Sequence, residues 1–165
     1  MTQTAPGRLR RRLVNLRFAA DATAVRAALI TVDTILAQSD APPDLRSRTQ
    51  IALAEACNNI VEHAYRPKPD SREAQIMLDI SGDAGGLQVT LRDRGRAMPD
   101  GPLPGRILPH IDPDTPATLP EGGFGWALLR EMTRALSISR QNGQNILRFR
   151  LHMTDTPSPL GKSMP

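Results

Sequence analysis

Residues 51–65 read Ile51-Ala-Leu-Ala-Glu-Ala-Cys-Asn-Asn-Ile-Val-Glu-His-Ala-Tyr65, and their periodicity decides the fold. Leu53, Cys57, Ile60 and Ala64 fall at i, i+4, i+7 and i+11, which is one apolar helical stripe, with Ala54 and Val61 beside it. Glu55, Asn59 and His63 fall at i, i+4 and i+8 on a second face, flanked by the small residues Ala52 and Ala56. The pattern predicts a helix from about Leu45 to Tyr65, ended by Arg66-Pro67-Lys68-Pro69-Asp70. A carboxylate one turn before a carboxamide suits a hydrated Mg²⁺. Asn59 would offer a side-chain oxygen to an ion that keeps several waters, with Glu55 in reach of a hydroxyl to be deprotonated. The same pair, taken alone, also suits a solvated helix face.

Working upstream, Leu13 to Phe18 reads as a short strand and Ala22 to Ala37 as an amphipathic helix with Asp21 as its N-cap. Ser39 to Pro43 breaks that helix, and Asp44 can start the next. Downstream, Ala74 to Ile80 and Leu87 to Leu91 alternate around the turn Asp83-Ala84-Gly85-Gly86, a hairpin that delivers Asp93 at its end. Residues 94–121 carry no periodicity and hold seven prolines, from Pro99 to Pro120. A loop that long in a small domain is a candidate functional segment. Gly122-Gly123-Phe124-Gly125 then opens a helix to about Arg134. Leu136, Ile138 and Arg140 form a strand, Asn142-Gly143 a tight turn, and Ile146 to Leu151 the return strand. The expected class is α+β, a two-layer sandwich with a mixed, mostly antiparallel sheet covered on one face by three helices.

Composition narrows the function. The 165 residues are 39% apolar and 23% charged, enough for one core and little more. Lys and Arg number 21 against 17 acids, a net charge of +4 that does not demand a nucleic-acid partner. Nineteen of the basic residues are Arg, whereas one Trp, one Tyr and three Phe leave little for base stacking. Arg8, Arg10, Arg11, Arg12 and Arg17 read as a solvated strand edge or a contact for an acidic protein. A lone Cys57 on the core stripe excludes a disulfide framework, and three scattered His do not make a zinc site. Neither a membrane span nor a signal peptide is legible, so the expected setting is a cytoplasmic, reducing one.

Two further features carry chemistry. In Asp93-Arg94-Gly95, a carboxylate at a strand end can accept from an exocyclic amine while the glycine lets a flat ring approach. Gly122 to Gly125 before a helix can cradle an anion on backbone N–H groups. Each is common alone; their order and spacing with Glu55 and Asn59 are not.

Together, residues 51–65, Val89-Thr-Leu-Arg-Asp-Arg-Gly95 and Glu121-Gly-Gly-Phe-Gly-Trp-Ala-Leu-Leu129 resemble the anti-sigma-factor serine/threonine kinases of the GHKL ATPase superfamily. The resemblance covers roughly residues 12–152, leaving a flexible basic N-terminus at 1–11 and a disordered tail at 153–165. It implies ATP and Mg²⁺ as cofactors. It makes Glu55 the catalytic glutamate, Asn59 the Mg²⁺ ligand, and Asp93 the adenine-binding aspartate with Gly95 closing on the base. Gly122, Gly123, Phe124 and Gly125 stand at the phosphates and hinge an ATP lid at about 97–121. Phe124 and Trp126 either wall the pocket or pack the helix, and His63 anchors the helix end. The implied partners are a small antagonist of the STAS type, which is phosphorylated on Ser or Thr, and a sigma factor. Nucleic acid and membrane are not among them, and the family pattern adds a possible homodimer.

The chain departs from that pattern at Arg94, Arg96 and Arg134, where the family often has acids. It departs again at Asn145, which stands where a Thr near the adenine is usual and which can still hydrogen-bond. The competing readings are a histidine-kinase-like ATPase and a nucleotide-gated binding module without turnover. Residues 1–20 are too short, and contain no His, for the phosphoacceptor helix of the former.

Overall fold

The computed structural model describes residues 10–65, 74–97 and 124–153. The chain runs β1 (Arg11–Ala19), α1 (Ala22–Gln38), α2 (Pro43–Asn59), a π-helical turn (Ile60–Ala64), β2 (Gln75–Asp83), β3 (Gly86–Asp93), α3 (Phe124–Met132), β4 (Arg134–Gln141) and β5 (Gln144–His152). The five strands form one sheet in the order β1-β2-β3-β5-β4. Every pairing in it is antiparallel, so the sheet is not mixed. The reason lies in the connections: β2–β3 and β4–β5 are hairpins, and the two helices after β1 return the chain in the opposite sense.

Strand alternation builds the core. Ile76, Leu78 and Ile80 of β2, Leu87, Val89 and Leu91 of β3, and Leu147, Phe149 and Leu151 of β5 are all buried on the sheet's inner face. Val32 and Leu36 of α1, Leu53, Ala56 and Cys57 of α2, and Trp126 and Leu129 of α3 cover them. Burial pushes the Cys57 thiol up to about 12, so it stays protonated and apolar, as its place on the stripe implies.

Local signals set the ends. Asp21 Oδ1 accepts from Ala24 N at 2.8 Å, the expected N-cap of α1. Helix α2 begins one residue before Asp44, with Pro43 at the first helical position, where its missing N–H costs nothing. Asp44 sits in the first turn and binds Arg48 Nε at 2.8 Å. Asn142 (φ 50°) and Gly143 (φ 74°) turn the β4–β5 hairpin in the left-handed region that an Asn-Gly pair favours. Helix α3 stops at Met132 rather than near Arg134, and Arg134 already belongs to β4.

The larger departure is at the end of α2. Regular α-helix gives way to the π-helical turn after Asn59, so residues four apart no longer lie one above the other. His63 therefore leaves the line of Glu55 and Asn59 and is exposed, not a packing residue. Tyr65 fills the packing role: it is buried, its hydroxyl donates to Gln75 O at 3.2 Å, and it accepts from Arg94 N at 3.0 Å.

Two of the N-terminal arginines, Arg10 just before β1 and Arg12 within it, have acidic partners. Arg10 and Arg12 face Asp83 and Asp79 of β2 at 3.5 and 4.0 Å. Arg150, at 2.6 Å, does most to hold the Asp83 carboxyl below its ordinary range. The segment 97–121, expected to form a lid, lies outside the described residues except for Ala97, as do residues 1–9 and 154–165. Arg11, placed in the flexible N-terminus from the sequence, belongs to β1, and Met153 N donates to Gly85 O at 3.1 Å.

Candidate functional site

Glu55 and Asn59 lie on the last two turns of α2, which packs against α3. Gly125, second residue of α3, closes on that face. A side chain there would overlap Glu55 Oε2, and its Cβ would stand 3.8 Å from Asn59 Nδ2. The structure thus brings three sequence-predicted residues together, and the missing Gly125 side chain makes the room that Glu55 occupies. Asn59 Nδ2 is buried without a hydrogen-bond partner among the described residues. Such an orphan costs roughly 1–3 kcal/mol, which a ligand acceptor such as a phosphate oxygen would recover, while the carboxamide oxygen is the atom a cation would take. Among the described residues no cluster of three or more His, Cys, Asp or Glu could cage a metal ion. A single carboxamide oxygen, with Glu55 beside it as the expected base and not a ligand, suits Mg²⁺, which takes few protein ligands and completes its shell with water and phosphate oxygens.

Asp93 ends β3 and is 4% exposed. Its Oδ1 accepts from Asn145 Nδ2 at 2.8 Å and from Gly95 N at 2.9 Å. Burial pushes its carboxyl above the ordinary range; the bonds from Asn145 and Gly95 and the charge of Arg140 work against that rise. Register explains the meeting, since Asp93 pairs with Asn145 across β3 and β5, and Asn145 pairs with Arg140 across β5 and β4.

Gly95 has a structural reason beyond any ligand. A Cβ there would stand 2.5 Å from both the Cβ and the carbonyl oxygen of Ala64, and Arg96 N donates to Ala64 O at 2.9 Å. The segment after Asp93 is thereby laid on the π-helical turn that follows Asn59. The two clusters are joined through a few residues of backbone.

Asn145 is fully engaged by protein. Besides Asp93, its Nδ2 donates to Arg96 O at 2.9 Å, and its Oδ1 accepts from Arg140 Nη1 at 2.6 Å. Arg140 Nη1 also donates to Gly95 O at 3.1 Å. Sequence reasoning missed both Arg140 and Tyr65. Trp126 is 5% exposed and belongs to the core, which favours packing over a pocket wall. Gly122, Gly123 and the side chain of Phe124 lie outside the described residues.

A strand-end carboxylate on β3 and a carboxylate–carboxamide pair on α2, with a glycine-rich stretch of sequence leading into α3, fit a nucleotide-binding ATPase domain. The chain belongs to the histidine kinase-like ATPase domain family, whose model matches residues 18–151. Among curated relatives, the serine-protein kinase RsbW of Staphylococcus epidermidis is 23% identical over 133 residues, 81% of this chain and 82% of that one. The RsbW of Bacillus mycoides is 31% identical over 98 residues, 59% of each chain.

Among solved structures, a chain of the SiaB–SiaC complex from Pseudomonas aeruginosa superposes with a TM-score of 0.57 at 16% identity, over 86% of this chain and 91% of that one. The RsbU and RsbW domains of a Mycobacterium tuberculosis protein give 0.53 at 18% identity, over 84% of this chain and 32% of that longer one. These two likenesses concern the fold. No helix among the described residues is long and apolar enough to cross a membrane.

Proposed function

We propose that this chain is an ATP-dependent serine/threonine protein kinase of the anti-sigma-factor class. It transfers the γ-phosphoryl group to a Ser or Thr of a small STAS-type antagonist in the cytoplasm. It sequesters a sigma factor, which the unphosphorylated antagonist releases. The observation that carries the reading is the pairing of Glu55 with Asn59 under Gly125, where the missing side chain leaves the carboxylate its place. The names of the curated relatives support the activity.

In this reading Asp93 accepts from the 6-amino group of the base and Gly95 brings the backbone close to it. Asn59 offers its carboxamide to Mg²⁺, which when bound would neutralise charge on the phosphates. Glu55 orients the incoming hydroxyl and accepts its proton. Backbone N–H groups of Gly122 to Gly125 and the start of α3 receive the phosphates. The proline-rich segment from Ala97 to Glu121 is the lid. Phosphoryl transfer needs little more than positioning and charge neutralisation, so this short set of polar residues suffices.

Gly125→Ala separates stability from chemistry. Oε2 is the far end of a flexible side chain, so the new methyl displaces it at little cost, and Ala is the better helix former by about 1 kcal/mol. The melting temperature is expected to hold or rise while phosphoryl transfer slows at least ~10-fold, because a displaced carboxylate loses its alignment. A variant with wild-type turnover would detach Gly125 from the reaction.

Incubation with ATP labelled at the γ-phosphate and a candidate antagonist tests the function itself. Label on an antagonist Ser or Thr is the expected result. Label released only as free phosphate would leave an ATPase, and ATP bound without transfer or hydrolysis would leave a nucleotide-gated binder.

A further inference from the structure

Arg140 carries no role in the reading above, yet it holds the group that would read the base. A guanidinium only donates, and the carbonyl oxygens of Gly95 and Arg96 only accept. Arg140 Nη1 lies 2.6 Å from Asn145 Oδ1 and 3.1 Å from Gly95 O. Facing Arg140, the carboxamide must present its oxygen; its nitrogen then points at Asp93 Oδ1, 2.8 Å away, and at Arg96 O, 2.9 Å away. Turned over, it would set an NH₂ group against the guanidinium and an oxygen against two more oxygens. The orientation of Asn145 is therefore fixed by its neighbours.

That orientation fixes Asp93 in turn. Asp93 Oδ1 takes its two donors, Asn145 Nδ2 and Gly95 N, from the two sides of the strand end. Both described bonds fall on the same oxygen, so in the nucleotide reading Oδ2 is the acceptor left for the base. An oxygen that can only accept welcomes an amino group and repels a carbonyl.

We propose that Arg140, acting through Asn145, is a positioning residue that makes the site selective for a purine bearing a 6-amino group. This inference rests on the nucleotide reading and deepens it. The clamp gives Asn145 a task that differs from touching the base: it orients the carboxylate that touches the base. It also ties the selectivity of Asp93 to the β4–β5 hairpin and to the peptide of Gly95 and Arg96, where β3 leads toward the segment that follows.

The test compares ATP with purine riboside triphosphate, which lacks only the 6-amino group, by calorimetry on the full chain. A hydrogen bond to a charged group gives wild type a preference for ATP of about ten- to a hundredfold. Arg140→Met removes the donor and keeps the aliphatic bulk. The preference is expected to fall to about threefold or less, chiefly through weaker ATP binding. Arg140→Lys, which can still donate to Asn145 Oδ1, is expected to restore most of it.

A general loss of fold would weaken both nucleotides alike, and thermal denaturation of each variant checks for it. Asn145→Leu, nearly isosteric, serves if Arg140→Met does not fold, with the same expected collapse. A folded Arg140→Met with the wild-type preference overturns the proposal while leaving the nucleotide reading intact. A wild type that binds neither nucleotide, or both equally, brings down the reading of Asp93 and the clamp with it.

Discussion

Glu55→Gln is expected to slow phosphoryl transfer by ~10²–10⁴-fold, the usual contribution of a positioned general base. The substitution keeps the size of the side chain and its place beneath Gly125. It removes basicity alone. ATP affinity should stay within about twofold, because the base is asked to act on the incoming hydroxyl and not on the nucleotide. Binding of the sigma-type partner should also persist, since that contact uses another surface in this account. Single-turnover transfer to an antagonist, measured beside nucleotide affinity, checks both halves. A Glu55→Gln variant that phosphorylates at the wild-type rate would remove Glu55 from the chemistry.

Asp93→Asn is the second large effect, and it should divide binding from folding. The carboxamide oxygen can still take the donors Asn145 Nδ2 and Gly95 N. Its other end then presents an NH₂ group where the base also presents one. Replacing that acceptor by a donor is expected to weaken ATP about ten- to a hundredfold.

Stability should move the other way. Burial raises the Asp93 carboxyl, so the native state keeps its proton to higher pH than the unfolded chain does. Stability that the group contributes at low pH is lost as pH rises through its native pKa. An asparagine titrates nowhere, so the variant's melting temperature near neutral pH should match or exceed that of wild type. Calorimetry and thermal denaturation at pH 7 decide it: undiminished ATP affinity would exclude Asp93 as the base reader.

Much of this was legible in the sequence because it rests on short periods. The alternation of Ile76, Leu78 and Ile80 with Leu87, Val89 and Leu91 gave the hairpin that carries Asp93, and the i, i+4 spacing of Glu55 and Asn59 gave their shared face. The π-helical turn at Ile60–Ala64 was not legible, since one wider turn of five residues leaves no repeat to detect. Its consequence was the misplacing of His63.

Tyr65 and Arg140 escaped because their partners are 29 and 45 residues away in Arg94 and Gly95. A signal for Arg140 did exist. An Asn-Gly turn at Asn142-Gly143 fixes the hairpin register, and that register sets Arg140 opposite Asn145. Gly95 was read as letting a base approach, and Gly125 as part of a phosphate cradle and lid hinge. Their nearest neighbours are Ala64 and Glu55, a matter of how close two elements of the chain come.

The central claim is that ATP with Mg²⁺ binds between the Asp93 strand end and the Glu55–Asn59 face of α2. Titration of isotope-labelled protein with ATP and Mg²⁺, followed by amide resonances, tests it most directly. Saturable shifts are expected at the backbone amides of Gly95 and Gly125 and at the side-chain amide of Asn59, with the Asn59 response lost when Mg²⁺ is withheld. Shifts confined to another surface, such as the shallow groove between α1 and α2 lined by Asp33, Arg46 and Gln50, would contradict the account, as would a spectrum that ATP leaves unchanged.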